Sequence, residues 1–327
     1  MTTPRSLPFE YPFQWDNESL REGAGVTEEA AATLRQRDRD LEDFLATLGG
    51  GGAFFVAASD ASATSRAVAH YICDGTNDEE EINAAIADCF AIAIAAGYSA
   101  YGNRQPSGRV LLSEGTFHIG GDGIVYTGDY SSSAPANLTL QGQGMAATVV
   151  KHATAAGVYY KFGIQISGSS VTCRDFTLDT TGVARGGYGF LSYGQSTHVR
   201  NMRFRGLGYD GVRLDGAYSL VEGCEFHPSD DANAVHTLYL VGNQIRATNN
   251  YFYFTPREAI YTDSTSDRTV LMGNVVEKSN YNASAATAAI VVGTNSVVVG
   301  NVCEDYNAAA ATISSGAGSQ VANNVLL

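Results

Sequence analysis

Two groups of side chains in the C-terminal half have the types and spacing to do chemistry. Asp215 and Asp263 recur at the same place in a repeated pattern, two repeats apart. If the repeats stack as strands about 4.8 Å apart, the two carboxylates stand roughly 9–10 Å from one another. Inverting glycoside hydrolysis holds its acid and base roughly 6.5–9.5 Å apart, with room for water on the far face of the sugar. One aspartate would then act as the acid and the other as the base. The same strip holds Arg213, Tyr239 and Tyr261. A second strip holds Arg203, Arg205, Glu225, His227, Tyr251 and Tyr253. Rings can cover the apolar faces of a sugar while charged groups bond its hydroxyls. A solvated face with β-favouring tyrosines would have the same composition, and both readings stay open.

Other chemistry finds less support. Asp210, Asp230, Asp231 and Glu258 are further acids, expected in turns, where functional residues gather. His118, His152, His198, His227 and His236 lack the spacing of a zinc-binding HExxH. There is no Gly-x-Ser-x-Gly elbow. No run of carboxylates converges as a calcium site would require. Neither a metal nor a cofactor is expected.

The elements that position these groups are read from the repeat. From residue 162 two short patterns alternate. One runs small-apolar-x-apolar, as in Gly163-Ile164-Gln165-Ile166, Gly211-Val212-Arg213-Leu214 and Ala259-Ile260-Tyr261-Thr262. The other begins on a small or polar residue at Asp175, Asn201, Gly223, Asn249, Gly273, Gly300 and Asn323, with spacings of 26, 22, 26, 24, 27 and 23. Each repeat thus shows two strand patterns too short to bury a face alone, and stacking them builds a continuous core. The Leu-x-x-Leu-x-Leu frame of a leucine-rich repeat is missing. By the period-two rule Leu178, Phe204, Phe226, Phe252, Val276 and Cys303 stack inward. Two positions earlier, Asn250, Asn274, Asn301 and Asn324 are expected to form an internal ladder of amides. They could equally be turn asparagines. Cys224 and Cys303 are expected to be packed, inert thiols.

The N-terminal part differs. Residues 1–25 are rich in proline and aromatics, and residues 27–48 read as a helix with Leu34, Leu41 and Leu48 seven apart. Two and a half heptads either bundle three subunits or dock on the chain's own surface. Gly49–Gly52 mark a linker, placed at 49–53, before the strand pattern Phe54–Ala57. A capping helix is expected over about 78–96 and the repeats from about 109.

Composition narrows the partners. With 327 residues, 44% of them hydrophobic, the chain can bury a large core. A net charge of −14 argues against nucleic acid and against an anionic membrane surface. Five cysteines in odd number, none in a CxxC pair, indicate neither a disulfide framework nor zinc. No apolar leader and no membrane-spanning run is visible, so synthesis in the cytoplasm is expected.

Cys73-Asp74-Gly75-Thr76-Asn77-Asp78-Glu79-Glu80-Glu81-Ile82-Asn83-Ala84-Ala85-Ile86 resembles the "DGTxDDxxAIxxAI" segment of the pectate-lyase-like superfamily. Gly108-Arg109-Val110-Leu111-Leu112-Ser113-Glu114-Gly115-Thr116-Phe117 is similar to that family's "GGxVxLPxGTY" first rung. The resemblance covers about residues 54–327. It implies an all-β fold, a right-handed single-stranded parallel β-helix whose N-terminal mouth is plugged by a helix. It does not fix the chemistry, because the fold hosts lyases, hydrolases, epimerases and adhesins. The aromatic start, charged helix and glycine linker resemble minor tail proteins of phages that infect actinobacteria. That likeness implies a virion protein made in the host cytoplasm, attached to other tail or baseplate proteins through residues 1–48. A homotrimer and a host surface polysaccharide are then the expected partners. A polysaccharide hydrolase or lyase on the same fold, and a purely structural tail component, are the alternatives.

Overall fold

The computed structural model describes residues 52–95, 108–120, 123–126, 137–152, 162–181, 188–207, 210–228, 236–279, 288–305 and 313–327. The expected attachment segment 1–48, most of the linker, and Asp230 and Asp231 lie outside them. The chain is a right-handed parallel β-helix of three sheets, with every strand pair parallel. In one rung it runs through His198–Arg200, Arg203–Arg205 and Asp210–Leu214, each strand in a different sheet. The next rung repeats this with Leu220–Glu222, Glu225–His227 and His236–Leu240. Among the described residues the first sheet has 11 strands, the second 9 and the third 8.

The two patterns read in the sequence are the third and second sheets. The reading of two strands per repeat is corrected to three. The first-sheet strands of the repeats, such as Thr172–Arg174 and His198–Arg200, are three residues long and bury only their middle residue. One buried residue per strand, here Cys173 or Val199, leaves no alternation to detect.

A tight turn joins the first sheet to the second in every repeated rung. Its leading residue has a positive φ at Asp175, Asn201, Gly223, Asn249, Gly273, Gly300 and Asn323. Only glycine, asparagine and aspartate adopt this left-handed conformation at low cost, which explains the small or polar residue that opens the second pattern. The next residue points inward. There the amides of Asn250, Asn274, Asn301 and Asn324 form the expected ladder. Asn250 Nδ2 donates to Asn274 Oδ1 at 3.0 Å, Asn274 Nδ2 to Asn301 Oδ1 at 2.9 Å, and Asn301 Nδ2 to Asn324 Oδ1 at 2.9 Å. The second Nδ2 hydrogen of Asn250 and Asn274 goes to the carbonyls of Val221 and Ala247. The same oxygens also accept backbone amides, as from Asn250 N to Asn274 Oδ1 at 3.1 Å.

Beside the ladder runs the apolar column. Leu178 pairs with Phe204, Phe204 with Phe226, and Phe226 with Phe252, as the period-two register requires. The rings of Phe226 and Phe252 stack with centroids 4.5 Å apart. Cys224 and Cys303 are buried in this core, and burial holds the Cys224 thiol up at about 12, so it is inert at neutral pH.

The first rung has no earlier rung to satisfy its amides in the second and third sheets. Helix α1 (Ala63–Val68) precedes it, and helix α2 (Glu79–Ala95) closes its mouth. Side chains at the start of α2 take over the missing pairing. His118 N donates to Asp78 Oδ2 at 2.6 Å, Gly120 N to Glu79 Oε2 at 2.8 Å, and Val125 N to Asn83 Oδ1 at 3.0 Å. The acidic helix start is therefore a cap for exposed strand edges. Among the described residues no helix is long and apolar enough to cross a membrane.

Asn274→Ala removes an amide that bonds both neighbouring rungs and takes away the acceptor of Asn250 N and of one Nδ2 hydrogen of Asn250 in the core. The expected loss is about 2–3 kcal/mol, read as a lower midpoint in thermal or denaturant unfolding. An unchanged midpoint would show that the ladder does not hold the rungs together.

Candidate functional site

The third sheet presents a dense cluster of rings and charges on four successive rungs. Arg213, Tyr239 and Tyr261 fall in register on adjacent strands, half-buried and facing outward. Leu191, in the same column one rung earlier, is fully buried. Tyr188, at the start of the strand beside Arg213, stacks on Phe162 with centroids 6.0 Å apart. The Arg213 guanidinium lies over the rings of Tyr188 and Tyr239, 5.5 Å and 5.0 Å from their centroids.

The aspartates stand at the rim of this cluster, in the turns that follow the strands. Asp215 and Asp263 are two rungs apart, with Val241 between them. Asp215 accepts two hydrogen bonds from Arg213, from Nε at 2.7 Å and Nη2 at 3.1 Å. Burial alone would lower the arginine's pKa, but Asp215 and Tyr188 outweigh it, so the guanidinium stays charged. Asp263 accepts from the backbone amide and hydroxyl of Thr265 at 2.8 Å and 2.7 Å, and from Tyr239 Oη at 3.2 Å. The Thr265 bonds hold its carboxyl below the ordinary aspartate range. Tyr239 is pushed up to about 12, first by burial and then by Asp263, and remains a neutral phenol.

Two further residues complete the cluster. His236 stacks on Tyr261 with centroids 4.2 Å apart and an interplanar angle of 9°. Its Nδ1 lies 3.2 Å from Glu258 Oε2, and Arg257 Nε approaches the same oxygen at 3.6 Å. Burial would raise the Glu258 carboxyl. The His236 hydrogen bond, its own backbone amide and the nearby positive charges outweigh burial, and the net shift is downward. Glu258 and Asp210 were expected in turns; instead each opens a strand of the third sheet, paired through His236.

The second strip is a looser row. Arg203 Nε bonds Glu225 Oε2 at 2.7 Å, and His227 Nε2 lies 3.6 Å from the same oxygen. Arg203 holds the Glu225 carboxyl below its usual range. Tyr251 donates to Glu277, Arg205 is exposed, and Tyr253 leans its ring toward His227. The nine expected ligand residues therefore divide between two faces, Arg213, Tyr239 and Tyr261 on the third sheet and the other six on the second. Elsewhere Cys73, Asp78 and Glu81 bring a thiol and two carboxylates within 4.8 Å. Asp78 there already serves the cap, accepting from Gly75 N and His118 N.

The sign of the Glu258 shift gives a test. A carboxyl lowered from 4.5 stabilises the fold fully above about pH 4.5 and loses that contribution as pH falls through its folded value. The melting-temperature advantage of the wild type over Glu258→Gln should shrink between about pH 5 and pH 3. A constant or growing margin on acidification would contradict an ionised Glu258 held by His236.

Comparison with known proteins bears on the architecture. The family model described as "Right handed beta helix region" matches residues 162–326. No curated protein matches the chain. Among solved structures, ORF18 of Geobacillus virus E2 is similar at 15% identity over 73% of this chain, with a TM-score of 0.47. This chain spans 56% of that structure's length. The mannuronan C-5 epimerase AlgE4 A-module of Azotobacter vinelandii is similar at 14% identity, covering 78% of this chain and 94% of that one, with a TM-score of 0.38. Pectin methylesterase PemA of Erwinia chrysanthemi is similar at 13% identity, covering 83% and 92%, with a TM-score of 0.43. With three stacked parallel sheets and a family match over about half its length, the chain belongs to the right-handed β-helix family.

Proposed function

We propose that the protein binds a cell-surface glycan through the third-sheet cluster, as the host-contacting part of a phage tail. The observation that carries this reading is the row Tyr188, Arg213, Tyr239 and Tyr261, half-buried rings and a guanidinium locked on successive rungs. Such rings offer flat apolar faces to sugar, and the rim carboxylates Asp215 and Asp263 can accept from its hydroxyls. The side chains are held by mutual contacts before ligand arrives, which lowers the ordering cost of binding. The second-sheet row of Arg203, Arg205, Glu225, His227, Tyr251 and Tyr253 adds a further contact face. The virion setting rests on residues 1–48, whose composition suits attachment to other tail or baseplate proteins. A homotrimer would multiply weak sugar contacts by avidity.

A second reading is a polysaccharide depolymerase, a hydrolase or lyase. It is favoured by the placement of Asp215, His236, Glu258 and Asp263 on three successive rungs of one sheet. The lowered carboxyls of Asp263 and Glu258 suit bases or hydroxyl acceptors, whereas a general acid must stay protonated near neutral pH. Asp215 is taken up by Arg213. For that reason binding is placed ahead of hydrolysis. A purely structural tail component is the third reading.

Incubation of the purified protein with cell envelopes from a panel of actinobacteria separates the three, with bound protein and released sugar assayed together. Binding without released sugar is expected, weakened about tenfold or more by Tyr239→Ala with Tyr261→Ala. Release of oligosaccharide that stops in Asp215→Asn or Asp263→Asn would make the protein an enzyme. Neither binding nor release would leave the structural role.

A further inference from the structure

The first sheet carries a groove that the third-sheet cluster does not involve. It has a volume of ≈ 370 Å³ and runs along four successive rungs, lined chiefly by His198, Arg200, Tyr218, Gln244, Arg246 and Arg268. Three guanidinium groups gather here, and no carboxylate lines the groove. That is unusual in a chain with 34 acidic and 20 basic residues. Arg200 and Arg268 touch Glu222 and Asp267 at 3.4 Å and 3.3 Å, but both arginines are exposed and their carboxylate partners only half-buried, so an incoming anion can exchange for the partner at little cost. Arg246 makes no ion pair among the described residues.

A second, independent observation concerns the backbone. The turn that enters the first sheet has a positive φ in each rung from Ser170 onward, at Ser170, Ser196, Tyr218, Gln244, Arg268, Asn295 and Gly318. At both ends of this column the residues are small or polar. At three of the four rungs of the groove they are Tyr218, Gln244 and Arg268, with φ of 62°, 58° and 58°. Long side chains are disfavoured in that conformation, and a ring most of all. Strained residues that persist together and share one groove point to a use for their side chains. Tyr218 is 55% exposed, so its packing does not supply the reason.

We infer that this groove is a track for one chain of an acidic polysaccharide, whose anionic groups sit in the forks of Arg200, Arg246 and Arg268 while a sugar ring lies on Tyr218. Guanidinium forks match carboxylate, sulfate and phosphate bidentately. Successive rungs are about 4.8 Å apart, so Arg200 lies two rungs before Arg246 and Arg268 one rung after it, along the axis that a linear polymer would follow. The net charge of −14 repels polyanions from the molecule as a whole, so retention of one reports a local site.

The test is affinity electrophoresis of the full chain in gels holding polygalacturonate, dextran sulfate or neutral dextran. Retardation by an anionic polymer and not by dextran is expected. Arg246→Gln with Arg268→Gln should weaken it about tenfold or more, and Tyr239→Ala on the third sheet should leave it unchanged. Polygalacturonate alone would identify a carboxylate ligand, dextran sulfate alone a sulfate-like one, and both a site that reads charge. Tyr218→Gly relieves the backbone strain, so it should raise the melting temperature while weakening retention severalfold. No retardation by either anionic polymer would overturn the inference. So would equal retardation by dextran, or a double arginine variant that migrates like the wild type.

Discussion

The structure depends on one constraint, that the chain must turn between the first and second sheets within two residues in every rung from Thr172–Arg174 onward. A left-handed residue makes the turn, and the residue after it is driven into the core. An inward side chain at that point lies beside backbone groups that are not part of a strand ladder. In the later rungs an asparagine amide answers this, with Oδ1 accepting from the preceding rung and Nδ2 donating to the next Oδ1 and to a carbonyl. A buried polar group is tolerable when each of its donors and acceptors is paired, and the ladder meets that condition along several rungs. In the earlier rungs Phe176, Met202 and Cys224 fill the same place, and the core is apolar there.

This turn fixes the phase of the second-sheet strand that follows it, and rung-to-rung pairing in the third sheet decides which of its residues face solvent. A slip of one residue would bury Arg213 and Tyr239 and expose Phe190 and Leu238. The third-sheet cluster is thus a product of register rather than of any long-range loop. A second close approach keeps the rungs in line beside it. Gly194 and Gly216 follow the third-sheet strands, and a Cβ on either would lie 1.8 Å from the carbonyl oxygen of the glycine one rung earlier. Asp215 immediately precedes this tight stack, so its backbone is fixed by the same contact that forbids a side chain at Gly216.

The strands legible in the sequence were those with an alternating pattern. Phe162–Ile166 and Glu258–Thr262 place several apolar residues inward, and the even recurrence of Asp, Asn or Gly marked the turns. In the first sheet Phe54–Ala57 and Arg109–Leu112 were legible, but the strands of the later repeats were not, because a strand such as His198–Arg200 shows one inward valine between two polar residues. At the site, Arg213, Tyr239 and Tyr261 could be placed because they sit between inward residues of known phase. Tyr188, His236 and Glu258 sit at the first position of their strands, where phase is set by preceding loops of unequal length. Their pairing with Phe162, Tyr261 and one another was therefore hidden. The groove on the first sheet was hidden for the same reason as those later strands. The positive φ at Tyr218 and Arg268 has no compositional mark, since neither is a residue that usually signals such a turn.

The two faces differ in how their charge is held. On the third sheet each ion has a close partner within the fold: Arg213 with Asp215, Glu258 with His236, and Asp263 with Thr265 and Tyr239. A ligand there meets a surface already neutralised and rigid, and gains from ring contact and from hydroxyls that bridge fixed acceptors. Affinity at such a face comes from shape and varies little with salt. On the first sheet the arginines are exposed and at most weakly paired, and Arg268 sits on a strained turn. A ligand there replaces water and mobile partners around open cations, and ionic strength governs the outcome. A β-helix can hold both because its faces are separated by the core, and each sheet's outward residues are free to vary once the inward column and the turn are kept.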